Sequence, residues 1–171
     1  MVLSNKIKKY NEFFKKYNVI DGKNIFLNSI ESILEKVLGE NKLALQDIYI
    51  LTNYYQKNNI NLIRNLSTKV KTVNVITSEI QKYKNLEEIM QENGIAICVA
   101  NNKRKSLKNA KIIINLDFSE EELKEYIINR NACIINLTQE KCTNLKRFSG
   151  ILIRDIRNRY GWEFNKIYRK K

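Results

Sequence analysis

Five short apolar runs constrain the fold of this chain more than any other feature. They are Ile48–Leu51, Val73–Ile76, Ile95–Val99, Lys111–Ile114 and Ala132–Ile135. Each spans four or five residues, is rich in β-branched side chains and is nearly continuous rather than alternating. Strands buried on both faces read this way. Polar stretches with helical spacing separate them, at roughly 54–69, 79–92, 102–109 and 119–128. The last opens with Ser119-Glu120-Glu121-Glu122, a capping box in which Ser119 and Glu122 satisfy each other's backbone donors. Strands alternating with helices imply right-handed crossovers and a parallel sheet. The pattern predicts an α/β protein: a three-layer domain over 46–140 with a mainly parallel five-stranded sheet.

The first 45 residues read as a helical segment packed on that domain. Ser4 can cap a helix carrying Ile7, Tyr10, Phe13, Phe14 and Tyr17 at three- and four-residue spacings. A break is expected at Asp21-Gly22, then a second helix from about Asn28 to Leu38, stopped by Gly39. Residues 141–171 read as a basic, aromatic appendage.

Composition removes several chemistries. The 171 residues contain no His, which excludes a Ser-His-Asp triad, a Cys-His pair and His-ligated metal. With five glycines and no proline, no glycine-rich phosphate loop can form. No paired-carboxylate constellation is visible, so no catalytic residue and no metal ligand is assigned. Cys98, Cys133 and Cys142 lack metal-ligand spacing. Cys98 and Cys133 read as packed strand residues, and Cys142, beside Lys141, Lys146 and Arg147, as an incidental thiol. An odd cysteine count without a secretory signal points to reduced thiols in a cytoplasmic protein. No apolar run is long enough to span a bilayer.

The stretch Leu107-Lys108-Asn109-Ala110-Lys111-Ile112-Ile113-Ile114-Asn115, with Asn131-Ala132-Cys133-Ile134-Ile135-Asn136-Leu137 after the next helix, resembles the later strands of a NAD(P)-binding Rossmann domain. It is most similar to the shikimate dehydrogenase type. The resemblance covers about 46–138 and implies the strand order 3-2-1-4-5. The same alternation also fits flavodoxin-like and receiver folds, with order 2-1-3-4-5. The family's G-x-G-x-x-G is replaced by Asn53-Tyr54-Tyr55-Gln56-Lys57-Asn58, which puts two aromatics where backbone must meet pyrophosphate. No cofactor is therefore expected, and NAD(P) should bind no tighter than millimolar. If a nucleotide is held, the candidates are Asn53 after the first strand, Glu79 at the family's ribose-binding position and Asp117 past the fourth strand.

Charge is uneven. Of a net +13, residues 141–171 carry +8, from ten basic residues against Asp155 and Glu163. Asn, Ile and Lys make up 24, 25 and 23 residues, a bias that AT-rich codons also produce, so codon bias and function are alternative sources of the basic charge. Arginine interleaved with aromatics suits phosphate pairing and base stacking. Arg154, Arg157, Arg159, Trp162 and Arg169 are the candidate nucleic-acid contacts. The expectation is a non-catalytic Rossmann-like binding or interaction module, for which homo-oligomerisation is open. The alternatives are a nucleic-acid or polyanion-binding protein using residues 141–171, and an atypical NAD(P)- or nucleotide-dependent enzyme.

Overall fold

The computed structural model describes residues 22–39, 42–138, 149–153, 157–158 and 162–163. Helix α1 (Gly22–Leu38) and a 3-10 turn (Leu43–Leu45) lead into β1 (Asp47–Leu51). There follow α2 (Lys57–Ser67), β2 (Thr72–Ile76), α3 (Ile80–Glu92), β3 (Ile97–Ala100), β4 (Ile112–Asn115), α4 (Glu120–Lys124), β5 (Cys133–Asn136) and β6 (Ile151–Ile153). Strands β1 to β6 form one sheet in the order 3-2-1-4-5-6, and every adjacent pair is parallel. Strand β1 is central and the chain switches direction between β1 and β4. That is the doubly wound arrangement, with the flavodoxin-like order set aside. A separate antiparallel ribbon pairs β7 (Arg157–Asn158) with β8 (Trp162–Glu163). The expected helix over residues 4–17 lies outside the described residues.

Several elements differ from their sequence-based bounds. The sheet has a sixth strand, whose three apolar residues are too short a run to stand out. Gly22 begins α1 rather than breaking the chain before it. Strand β3 starts at Ile97 because Ile95 is spent closing α3: its N–H bonds Met90 O, past Gly94 at φ +73°. The expected helix at 102–109 is a run of turns. Asn102 Oδ1 accepts from the N–H groups of Arg104 and Lys105, and most later bonds span three residues. Like charges three and four apart, in a segment with five cations between 103 and 111, disfavour a helix there. Helix α4 keeps only five residues of the expected 119–128. The N–H groups of Ile127 and Asn129 leave it to bond Lys103 O and Leu107 O across the crossover.

Alternation along each strand fills two cores. Ile48, Ile50, Val73, Val75, Ile112, Ile114 and Ile135 face Ile30, Ile33 and Leu34 of α1, Ile63 and Leu66 of α2, and Tyr83 and Leu86 of α3. Leu51, Ile76, Ile113, Ile134 and Leu152 face Leu107, Ala110, Phe118, Leu123 and Tyr126 on the other side. The thinner second layer meets β3 at Ala100 and leaves Cys98 uncovered. Cys98, on the same register row as Asn74 and Tyr49, is exposed there, contrary to the packed position expected, whereas Cys133 is buried as expected. Between α1 and α2 runs a groove of about 490 Å³ walled by Asn28, Glu31, Asn58, Asn61 and Asn65. Leu27, Leu62 and Leu66 line it as well.

Candidate functional site at the carboxyl edge

The loops after β1 and β4 meet at the switch point, where open α/β sheets hold ligands. Here they are tied together by side chains. The ladder continues one residue past β1, through Thr52 N–H to Ile76 O at 3.0 Å, and Leu116 N–H bonds Leu51 O at 3.0 Å. The turn that follows points its donors at Asp117. Asn53 N–H bonds Asp117 Oδ1 at 2.7 Å, and Tyr54 N–H reaches Oδ2 at 3.3 Å. The Thr52 hydroxyl donates to Oδ2 at 2.7 Å. It also accepts from Asn59 Nδ2 at 2.9 Å, in the first turn of α2.

Asn53 spans the crevice with its side chain. Its Nδ2 donates to Glu122 Oε1 at 2.7 Å, while its Oδ1 accepts from Ser78 N–H at 2.9 Å and Ser78 Oγ at 2.7 Å. Glu122 is held by the capping box: its Oε2 accepts from Ser119 N–H at 2.7 Å, and its own N–H donates to Ser119 Oγ at 3.2 Å. The loops after β1, β2 and β4 thus share one hydrogen-bonded network. Beside it, the Asn115 amide donates to Asn136 Oδ1 at 2.8 Å and to Phe118 O at 2.9 Å, closing the adjacent loop on two buried asparagines.

Tyr83 closes the floor. Its hydroxyl donates to Tyr54 O at 2.9 Å, and its ring meets Tyr55 edge-on at a centroid distance of 5.0 Å. Burial pushes the Tyr83 phenol above its usual pKa. The polar Thr52 side chain nearby lowers it, while the Asp117 carboxylate and Tyr55 raise it further. Tyr83 therefore stays a neutral donor through the physiological range. Tyr54 and Tyr55 are 60% and 45% exposed, and with Ile80 they give the edge an apolar rim.

Two of the three nucleotide candidates from the sequence, Asn53 and Asp117, meet in this network. Glu79 does not join it. It flanks α3, bonds Thr77 Oγ1 through its N–H at 3.0 Å and pairs with Lys82 at 2.7 Å. Arg157 and Trp162 lie on the β7–β8 ribbon, opposite Glu163 and Asn158 respectively. Arg154, Arg159, Arg169 and Cys142 lie outside the described residues. Sequence reasoning missed Thr52, Asn59, Ser78 and Tyr83, and it saw Glu122 only as a cap. Nothing local marks those residues, since their partners are brought in by the sheet. Among the described residues no group of three or more Cys, Asp or Glu is placed to hold a metal ion.

No protein-family model matches the chain, and no curated protein does. Among solved structures it is similar to the crystal structure of Mycobacterium tuberculosis shikimate dehydrogenase, at 10% identity and a TM-score of 0.46. The match covers 80% of this chain and 51% of that one, so the chain spans about half that structure's length. Six parallel strands in the order 3-2-1-4-5-6, with layers on both faces, give this chain a Rossmann-like α/β fold.

Proposed function

We propose that the chain is a non-catalytic Rossmann-like binding module of the cytoplasm, whose nucleotide crevice is filled by its own side chains. One observation supports this reading above the rest. The Asp117 carboxylate sits on the N–H groups of Asn53 and Tyr54, the turn on which a dinucleotide fold seats its pyrophosphate. A phosphate brought to the same donors would meet a like charge about 3–4 Å away, a repulsion of roughly 4 kcal/mol at an effective dielectric near 20. It would also have to displace a hydrogen-bonded carboxylate. The exposed Tyr54, Tyr55 and Ile80 beside the filled crevice supply the aromatic and apolar surface that protein interfaces favour.

Thermal denaturation with excess NAD or NADP tests the reading. Binding to the native state must raise the melting temperature by mass action. No saturable rise is expected below millimolar dinucleotide. A saturable shift at micromolar NAD or NADP would overturn the proposal in favour of an atypical NAD(P)-dependent enzyme.

A further inference from the structure

The crossover between β3 and β4 carries the densest positive charge among the described residues. Lys103, Arg104, Lys105, Lys108 and Lys111 fall within nine residues, with no acidic residue between 101 and 111. The segment is nonetheless firmly placed. Leu107 and Ala110 are fully buried against the second face of the sheet. Asn102 holds its first turn, Lys103 O and Leu107 O accept from Ile127 and Asn129, and the Tyr126 hydroxyl donates to Asn101. The anchors point inward and all five cations are exposed. Arg130 joins the same surface from the neighbouring strand approach, next to Asn129.

One of the five crossover cations is paired, and the other carboxylates of this layer are held elsewhere. Glu125 pairs with Lys103, and Lys124 lies 3.2 Å from Glu120 and 3.9 Å from Glu121. Glu122 is bonded by Asn53 and Ser119. Among the described residues, Arg104, Lys105, Lys108, Lys111 and Arg130 have no carboxylate within ion-pair distance. Exposed Asn102, Asn109 and Asn131 add neutral donors to the same surface.

We infer that the β3–β4 crossover is a nucleic-acid backbone contact, with Arg104, Lys105, Lys108, Lys111 and Arg130 pairing phosphates. Fixed cations beside amide donors match the phosphate and sugar contacts that position proteins on nucleic acid. A membrane surface fits less well, because charge-driven anchoring also requires apolar side chains to insert. Here Leu107 and Ala110 face inward and Ile127 is the single exposed apolar neighbour along residues 101–111 and 127–131. These residues are distinct from the arginines of 154–169 that the sequence singles out. It is also independent of the filled crevice, so either reading can fail alone.

The test is fluorescence anisotropy of a labelled DNA duplex titrated with the full chain at several salt concentrations. If the five cations each engage a phosphate, log K should fall against log salt with a slope of roughly −4 to −5. In the variant Arg104→Gln/Lys105→Gln/Lys108→Gln the slope should shrink by about 2–3 and low-salt affinity should drop at least about tenfold. Circular dichroism melting establishes that the variant folds. Should it not fold, Lys108→Gln/Lys111→Gln/Arg130→Gln is read in the same way. Unchanged affinity and slope in a folded variant would overturn the inference by placing the contact elsewhere. So would no duplex binding at low salt, or capture of the chain by phosphatidylserine vesicles while duplex stays unbound.

Discussion

Asp117 shows how much one side chain can hold at a sheet edge. Its carboxylate accepts two backbone N–H groups and a hydroxyl from a turn 63 to 65 residues earlier in the chain. Hydrogen bonds to a charged acceptor are each worth about 1.5–3 kcal/mol, and stranded donors cost more when water cannot reach them. Asp117→Ala should therefore destabilise the fold by roughly 2–4 kcal/mol. In a chain of this size that lowers the melting temperature by several degrees or more, and Asp117→Asn should fall between. A melting temperature unchanged in Asp117→Ala would mean the turn is held by something else. Cys133 makes a second residue-scale prediction. Burial pushes its thiol from 9.0 up to about 11, so the proton binds more tightly in the folded state. That stability is complete below pH 9 and is lost as pH rises from 9 through 11, by about 2–3 kcal/mol in all. Cys98, also raised, adds to the same slope, and Tyr49, Tyr83 and Tyr126 follow above pH 10. Urea unfolding at pH 8.5 and 10 should show the loss. A Cys133→Ala variant should flatten it, and equal slopes in the two proteins would count against the assignment.

At the scale of elements, β3 illustrates how an open strand edge is blunted. Unpaired edge groups invite pairing with another chain. Here the outward groups are taken by α3, with Glu87 Oε1 accepting from Val99 N–H at 2.9 Å and Gln91 Nε2 donating to Ile97 O at 3.0 Å. The two side chains are one helical turn apart, matching the spacing of the groups they cover. Glu87→Ala/Gln91→Ala should leave the strand in place but open its edge. Size-exclusion chromatography with light scattering should then show concentration-dependent association absent from the parent protein. A strictly monomeric variant beside a monomeric parent would show that the edge is guarded some other way. The capping box at α4 is the same economy of means, since Glu122 both closes the helix start and holds Asn53.

For the whole molecule, the sixth strand decides where the sheet ends. Ile151, Leu152 and Ile153 pair with Cys133, Ile134 and Ile135, and Leu152 and Ile153 are buried in opposite cores. Burying a Leu or Ile side chain contributes about 1.5–3 kcal/mol, so the strand contributes several kcal/mol to a domain whose total stability is of order 10 kcal/mol. A chain ending at residue 148 would also expose the edge of β5. It should lose cooperative unfolding or aggregate on expression, measured by denaturant titration of the soluble fraction. A fully cooperative truncated protein of parental stability would show β6 to be dispensable.

Local pattern determined the elements that carry their own signal. Continuous β-branched runs marked β1, β2, β4 and β5, apolar spacing marked α2 and α3, and Ser119 with Glu122 marked the start of α4. These are short-range effects, written in residues close along the chain. The absence of His and of a glycine loop likewise narrowed the chemistry without any structure. Only the tertiary structure decided the rest. It brought Asp117 onto the turn at Asn53, Asn53 onto Ser78 and Glu122, and α3 onto the edge of β3. It also recruited a three-residue run as β6, whose burial comes wholly from β5 and the two cores. The turns of the crossover depend on carbonyls meeting Ile127 and Asn129, and α4 ends where those bonds begin. Hydrogen bonds between groups some 20 to 70 residues apart leave no periodicity in a sequence, and it is such bonds that fill the crevice.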